Sequence, residues 1–214
     1  YATGTGPIED WIGFITTEKE QLKTRLKIER ADKFVDRGGP PNILLMNRGG
    51  RFEWVKISDE LKQYRGSYQS SWVDYDSDGD PDLYICNDFA PDVFLRNDTV
   101  RGSFKPEFVD VTPDIIPTMD MGFGMGCSWG DFNNDGDLDL YVVSGGVECQ
   151  QGDKILQDRI YLNDGNGNYS RGFSGLLPKM SDSGGIVAAA DIDKDGRLEL
   201  FIGGRVIPGS YPQS

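Results

Sequence analysis

An all-β fold built from repeats is predicted by three observations. Turn residues punctuate short apolar runs, an acidic nonapeptide returns three times, and a hairpin signature keeps phase with it. The 214 residues include 28 Gly and 11 Pro, many clustered between apolar runs, a pattern of short strands and tight turns. A hydrophobic share of 37% is enough for a core and too much for a disordered chain.

The acidic windows 74–82, 131–139 and 191–199 read D-Y-D-S-D-G-D-P-D, D-F-N-N-D-G-D-L-D and D-I-D-K-D-G-R-L-E. Their starts lie 57 and 60 residues apart, close to one four-stranded propeller blade with loop insertions. Between them runs an apolar stretch ending in Asn, then a Gly-bearing turn and an aromatic: Leu44–Phe52, Phe94–Asn97 with Gly102 and Phe104, and Tyr161–Tyr169. Asn and Gly supply the positive φ of tight hairpins. From each Asn to the next acidic window is 27, 34 or 28 residues, so the two signals are phased.

Residues 1–40 lie outside the repeat. Glu18 to Val35 lacks Gly and Pro, carries Leu22, Leu26 and Phe34, and is expected to form one helix ended by Gly38-Gly39-Pro40-Pro41. Residues 41–214 are expected to form about three four-stranded blades of a partial β-propeller, at 41–92, 93–150 and 151–214. Strands are predicted at Ser71–Val73 and Leu83–Cys86, Cys127–Trp129 and Leu140–Val143, and Ile186–Ala190 and Leu198–Ile202. Residues 144–159 read as a loop insertion. Three blades cannot close a ring of the usual size, so further blades or another chain are expected to complete it, and the sequence to be part of a longer protein.

Charge narrows the function. The net charge of −13 argues against nucleic acid and anionic membranes, both of which need a basic footprint. Thirteen of the 35 acidic residues fall inside the three windows, the concentration a cation site requires. There is no His, which removes His-based triads and most zinc sites, and no apolar run approaches a membrane span. Cys86, Cys127 and Cys149 lack C-x-x-C spacing and permit one disulfide with a free thiol, or none.

Each window has the donor pattern of a calcium loop. Calcium takes six to eight oxygens, and residues 1, 3 and 5 of a tight loop can aim side-chain oxygens at one centre. A backbone carbonyl serves at 7, Gly turns the chain at 6, and a carboxylate at 9 closes the shell. The candidate ligands are Asp74, Asp76, Asp78, Asp80 (carbonyl) and Asp82; Asp131, Asn133, Asp135, Asp137 (carbonyl) and Asp139; and Asp191, Asp193, Asp195, Arg197 (carbonyl) and Glu199. About three Ca²⁺ ions are expected. An EF-hand would need an acid at position 12, where Ile85, Val142 and Ile202 stand in apolar β runs. The site is therefore strand–loop–strand, and its calcium structural.

The stretch Gly126–Tyr141, with the hairpin Tyr161–Gly167, resembles FG-GAP/VCBS-type propeller repeats, closest to the branch of cartilage acidic protein and ASPIC/UnbV proteins. The resemblance covers about 42–214. It implies an extracellular, cell-surface or periplasmic β-propeller used for adhesion or protein interaction, with a protein or glycan partner. Glu199 in place of Asp, and Ala189 in place of the Trp seen at 72 and 129, depart from the repeat.

Other features are read as structural. Trp72 and Trp129 occupy matched positions two residues before their loops and suit a blade core better than a sugar platform. Tyr84 and Tyr141 match likewise. The Met- and Gly-rich stretch 118–127 suits a close strand approach. No catalytic constellation stands out, so the chain is expected not to be an enzyme. A carbohydrate-active propeller (a lectin, polysaccharide lyase or hydrolase) is the alternative.

Overall fold

In a computed structural model, residues 40–58, 61–62, 65–88, 90–116, 123–147, 150–173 and 175–210 are described. The helix expected over 18–35 lies outside them, as do Met119, Met121 and Cys149. Twelve strands account for most of the described secondary structure. β1 (Leu45–Arg48) pairs with β2 (Arg51–Trp54). β3 (Gly66–Val73), β4 (Asp82–Asp88), β5 (Val93–Asn97) and β6 (Phe108–Asp110) form a four-stranded sheet in chain order. β7 (Gly124–Gly130), β8 (Asp139–Ser144), β9 (Arg159–Asn163) and β10 (Tyr169–Arg171) form a second. β11 (Ser183–Ala190) pairs with β12 (Glu199–Val206). Every pairing is antiparallel. The only described helical pieces are the single turn α1 (Thr112–Ile115) and a 3₁₀ turn at Lys154–Leu156 in the expected loop insertion.

The sheets divide the chain differently from the expected repeat boundaries. The second and third hairpins, β5–β6 and β9–β10, complete the sheets opened by the acidic loops before them, so the four-stranded sheets span 66–110 and 124–171 rather than about 41–92 and 93–150. Among the described residues, two four-stranded sheets and two two-stranded ones stand where about three four-stranded units were expected. The sequence showed the period but not the phase of the unit. Hydrogen bonds between β4 and β5 and between β8 and β9 fix that phase.

Burial explains the strand sequences. β4 and β8 are covered on both faces, so D-L-Y-I-C-N-D and D-L-Y-V-V-S read as nearly continuous apolar runs. Alternate residues of β4 serve two cores. Leu83 and Ile85 pack with Val93, Leu95, Phe108 and the partly buried Leu44 and Ile57. Tyr84 and Cys86 face the second sheet and pack with Phe94, Cys127, Leu140, Val142 and Tyr161. Tyr141, Val143 and Ile160 then meet Val187, Leu200 and Ile202 of the last sheet. The sheets thus stack face to face, and β7 lies between β3 and β11. Gly124 and Gly126 permit this approach. A Cβ on Gly124 would stand 2.2 Å from Asp92 Oδ1, and one on Gly126 3.0 Å from the Gly185 carbonyl oxygen.

Trp129 is partly buried and packs against the core. It stands edge-on to Tyr84 (5.9 Å), Phe94 (5.8 Å) and Tyr169 (6.3 Å) and donates Nε1–H to Ser71 Oγ at 3.1 Å. Its match Trp72 is 50% exposed and packs on Phe108. It lines a cleft beside Leu44 and Ile57, near the two-stranded β1–β2 sheet. The hairpins share one register: Asn47, Asn97 and Asn163 stand opposite Phe52, Phe108 and Tyr169. Phe108, not Phe104, is therefore the closing aromatic of the second hairpin. Phe104 is exposed beneath the Arg48 guanidinium, 4.1 Å from its ring centre.

Candidate metal centres in the acidic loops

The acidic loops join the first and second strands of their sheets: β3 to β4, β7 to β8, β11 to β12. The pairs Val73↔Asp82, Gly130↔Asp139 and Ala190↔Glu199 close them. All three share one backbone course. Position 4 is left-handed at Ser77, Asn134 and Lys194 (φ 59°, 61° and 65°), and position 6 is Gly79, Gly136 or Gly196 with φ near 90°. A left-handed non-glycine residue costs about 1–2 kcal/mol, and a web of bonds holds it. The position 1 carboxylates of Asp74, Asp131 and Asp191 accept from the Gly N–H at 3.1, 2.9 and 3.0 Å. Position 3 accepts from the position 5 N–H, and position 5 from the position 7 N–H, in every loop.

This web turns side-chain oxygens toward one point. One oxygen each from Asp74, Asp76 and Asp78 lie within 4.8 Å of one another, as do those of Asp191, Asp193 and Glu199. The second loop has Asn133 at position 3, whose amide Nδ2 donates to Asp135 Oδ2 at 2.6 Å, and no group of three carboxylates gathers there among the described residues. Asp195 is turned to Arg197, whose Nε lies 3.5 Å from Oδ2. Asp80, whose carbonyl was the expected donor, holds Oδ1 buried without a hydrogen-bond partner. Burial raises its carboxyl pKa first, then the charges of Asp78, Asp76 and Asp74. Four neighbouring carboxylates and an orphaned buried oxygen fit a hard, oxygen-seeking divalent cation.

Position 9 has a second role that spacing did not reveal. Asp82 and Asp139 are buried beneath their loops. Asp139 accepts the Phe132 N–H at 2.9 Å and the Asn163 N–H at 2.9 Å. Asp82 does the same with Tyr75 (3.3 Å) and Asn97 (2.8 Å). The hairpin Asn answers with its side chain, donating Nδ2–H to Pro81 O and Leu138 O. The contact ties each of these two hairpins to the acidic loop before it, not to the next one in sequence. Glu199 keeps the first half of the pattern, accepting from Ile192 N–H at 2.8 Å.

A second clamp is repeated from one four-stranded sheet to the other, without a matching spacing in the sequence. Tyr84 and Tyr141 donate to Asp92 (2.9 Å) and Asp158 (2.7 Å), which also accept the Asn87 and Ser144 N–H groups at 2.8 Å each. The tyrosines are 57 residues apart and the aspartates 66, so the insertion at 144–159 hid the match. Arg159 reaches back from β9 to Asp92 at 3.2 Å, a buried ion pair between the two complete sheets.

The FG-GAP-like repeat family model matches residues 74–142 and 150–202, more than half of the chain. The chain belongs to the FG-GAP-like repeat family. The first matched stretch begins at the first residue of the first acidic loop and takes in the first two loops, and the second takes in the third. All three acidic loops thus lie inside the matched stretches. No curated protein matches the chain significantly.

Proposed function

We propose that this FG-GAP-like chain is a calcium-stabilised portion of a β-propeller that serves outside the cytoplasm as a non-catalytic interaction or adhesion module. The observation that carries this reading is the shared backbone course of the three acidic loops, with carboxylates gathered in the first and the third. Asp74, Asp76 and Asp78, with the Asp80 carbonyl, would hold one ion. Asp131, Asn133 and Asp135, with the Asp137 carbonyl, would hold a second. Asp191, Asp193 and Glu199, with the Arg197 carbonyl, would hold a third. A bound calcium supplies positive charge that offsets carboxylate repulsion, and its binding free energy adds to that of folding. The chain's own residues do the rest: the backbone web aims the oxygens, and Asp82 and Asp139 tie each loop to its hairpin. Stacked sheets present loops and turns along their rims, which suits recognition of a protein or glycan by surface contact. Among the described residues no helix is long and apolar enough to cross a membrane.

Calorimetric titration of chelator-stripped protein tests the calcium assignment. The expected result is saturable binding approaching three ions per chain, with one site lost in Asp74→Asn/Asp76→Asn. No heat and no saturation would remove the reading.

A further inference from the structure

Cys86 and Cys127 lie on strands of adjacent sheets, β4 and β7, and both are buried free thiols in one apolar cluster. Three observations bring them together. Strand alternation turns Cys86, like Tyr84, toward the second sheet, while Leu83 and Ile85 point the other way. Gln69 of β3 stands directly across from Cys86 in the ladder. The same Gln69 holds the backbone of Cys127 with both ends of its amide: Oε1 accepts the Cys127 N–H at 2.9 Å and Nε2–H donates to the Cys127 carbonyl at 3.1 Å. One residue thus joins the two cysteines, its backbone paired with Cys86 and its side chain bound to Cys127. The Cys86 thiol is held well above its ordinary pKa, first by a hydrogen bond shared with Cys127 and then by burial.

We infer that Cys86 and Cys127 are the two halves of one disulfide, a covalent staple between the two complete sheets. Closure uses a low-molecular-weight disulfide, RSSR, as oxidant. The thiolate of one cysteine attacks RSSR, forming a mixed disulfide and releasing one RS⁻. The thiolate of the other attacks the protein sulfur of that mixed disulfide, forms the Sγ–Sγ bond and expels the second RS⁻. The two thiol protons end on two RSH; the cysteine pair loses two electrons and RSSR gains them. Burial and the raised Cys86 pKa suppress the thiolate in the folded protein, so the bond closes before the sheets have packed. Once closed, the same burial shields it from reductants. The inference stands apart from the calcium reading.

The test refolds the full reduced chain in a glutathione redox buffer, alkylates the soluble folded fraction in denaturant, and maps cross-linked peptides without reduction. The expected result is one alkylatable thiol per chain, at Cys149, and a Cys86–Cys127 peptide pair lighter by two hydrogens than its separate halves. Cys149→Ser should then show none. Closing a loop of about 40 residues should raise the melting midpoint by ~10 °C over the reduced protein. Three alkylatable thiols in the folded chain, two in Cys149→Ser, or a cross-link through Cys149 would overturn the inference.

Discussion

At the scale of single residues, position 9 of the acidic loop ties the loop to strand pairing. Asp139 satisfies two backbone N–H groups from different parts of the sheet. Asn can replace only one of its acceptor oxygens, leaving an N–H unpaired. Asp139→Asn should therefore cost about 1–3 kcal/mol in urea unfolding, and the cost should persist in EGTA. A cost that vanishes without calcium would mean that Asp139 acts only through the metal. Asp82 adds a pH signature. Burial lifts its pKa from 3.8 to about 6, with Asp76 and Asp78 adding to the rise and the Asn97 and Tyr75 N–H bonds opposing it. Between those values the folded chain keeps a proton that the unfolded chain has lost. Stability of the calcium-free protein should therefore fall as pH rises from about 4 to about 6. The urea midpoint across that window checks this, and a midpoint that climbs instead would contradict it. Gly at position 6 was legible as a turn requirement. The left-handed position 4 was not, because Ser77, Asn134 and Lys194 share no side-chain chemistry, and only the bond web imposes their conformation.

At the scale of elements, the strands around the loops were legible because β-branched and aromatic runs flank each acidic window. Their grouping into sheets was not, because a hairpin's sequence names its turn but not the strand it will join. The insertion at 144–159 likewise concealed the Tyr–Asp clamp, whose second copy is stretched out of phase. That clamp carries a prediction. Asp92→Ala takes the acceptor from Tyr84 O–H, Asn87 N–H and Arg159 at once inside a buried contact. It should cost about 3–5 kcal/mol, read by urea unfolding, while a cost below 1 kcal/mol would show the clamp to be idle. Gly124→Ala, whose Cβ would meet Asp92, should cost about 1–3 kcal/mol. It should cost less in the Asp92→Ala background, where the clash is gone.

At the scale of the whole molecule, stability should be graded across the stack. The β4 and β8 sheets are packed on both faces, whereas Trp54, Ile186 and Phe201 of the two-stranded sheets are 65–73% exposed. Amide exchange should be slowest in β4 and β8 and fastest in β1–β2 and β11–β12; a uniform rate across all four sheets would contradict the layered account. The all-β class and the repeat period were legible because composition and spacing report turns and units directly. Packing between the sheets was legible only in part. The glycines at 124 and 126 signalled a close approach, but nothing in the sequence named Asp92, Gln69 or Gly185 as what stands against them.

Thermal unfolding shows most directly whether the acidic loops act as calcium-bound structural ties. The midpoint is measured with calcium, with excess EGTA, and with EGTA plus magnesium. The account predicts a large fall in EGTA that calcium restores and magnesium does not, since magnesium needs a near-ideal octahedral shell and keeps its waters. An unchanged midpoint in EGTA would mean that the loops stand without a metal, and would contradict that role.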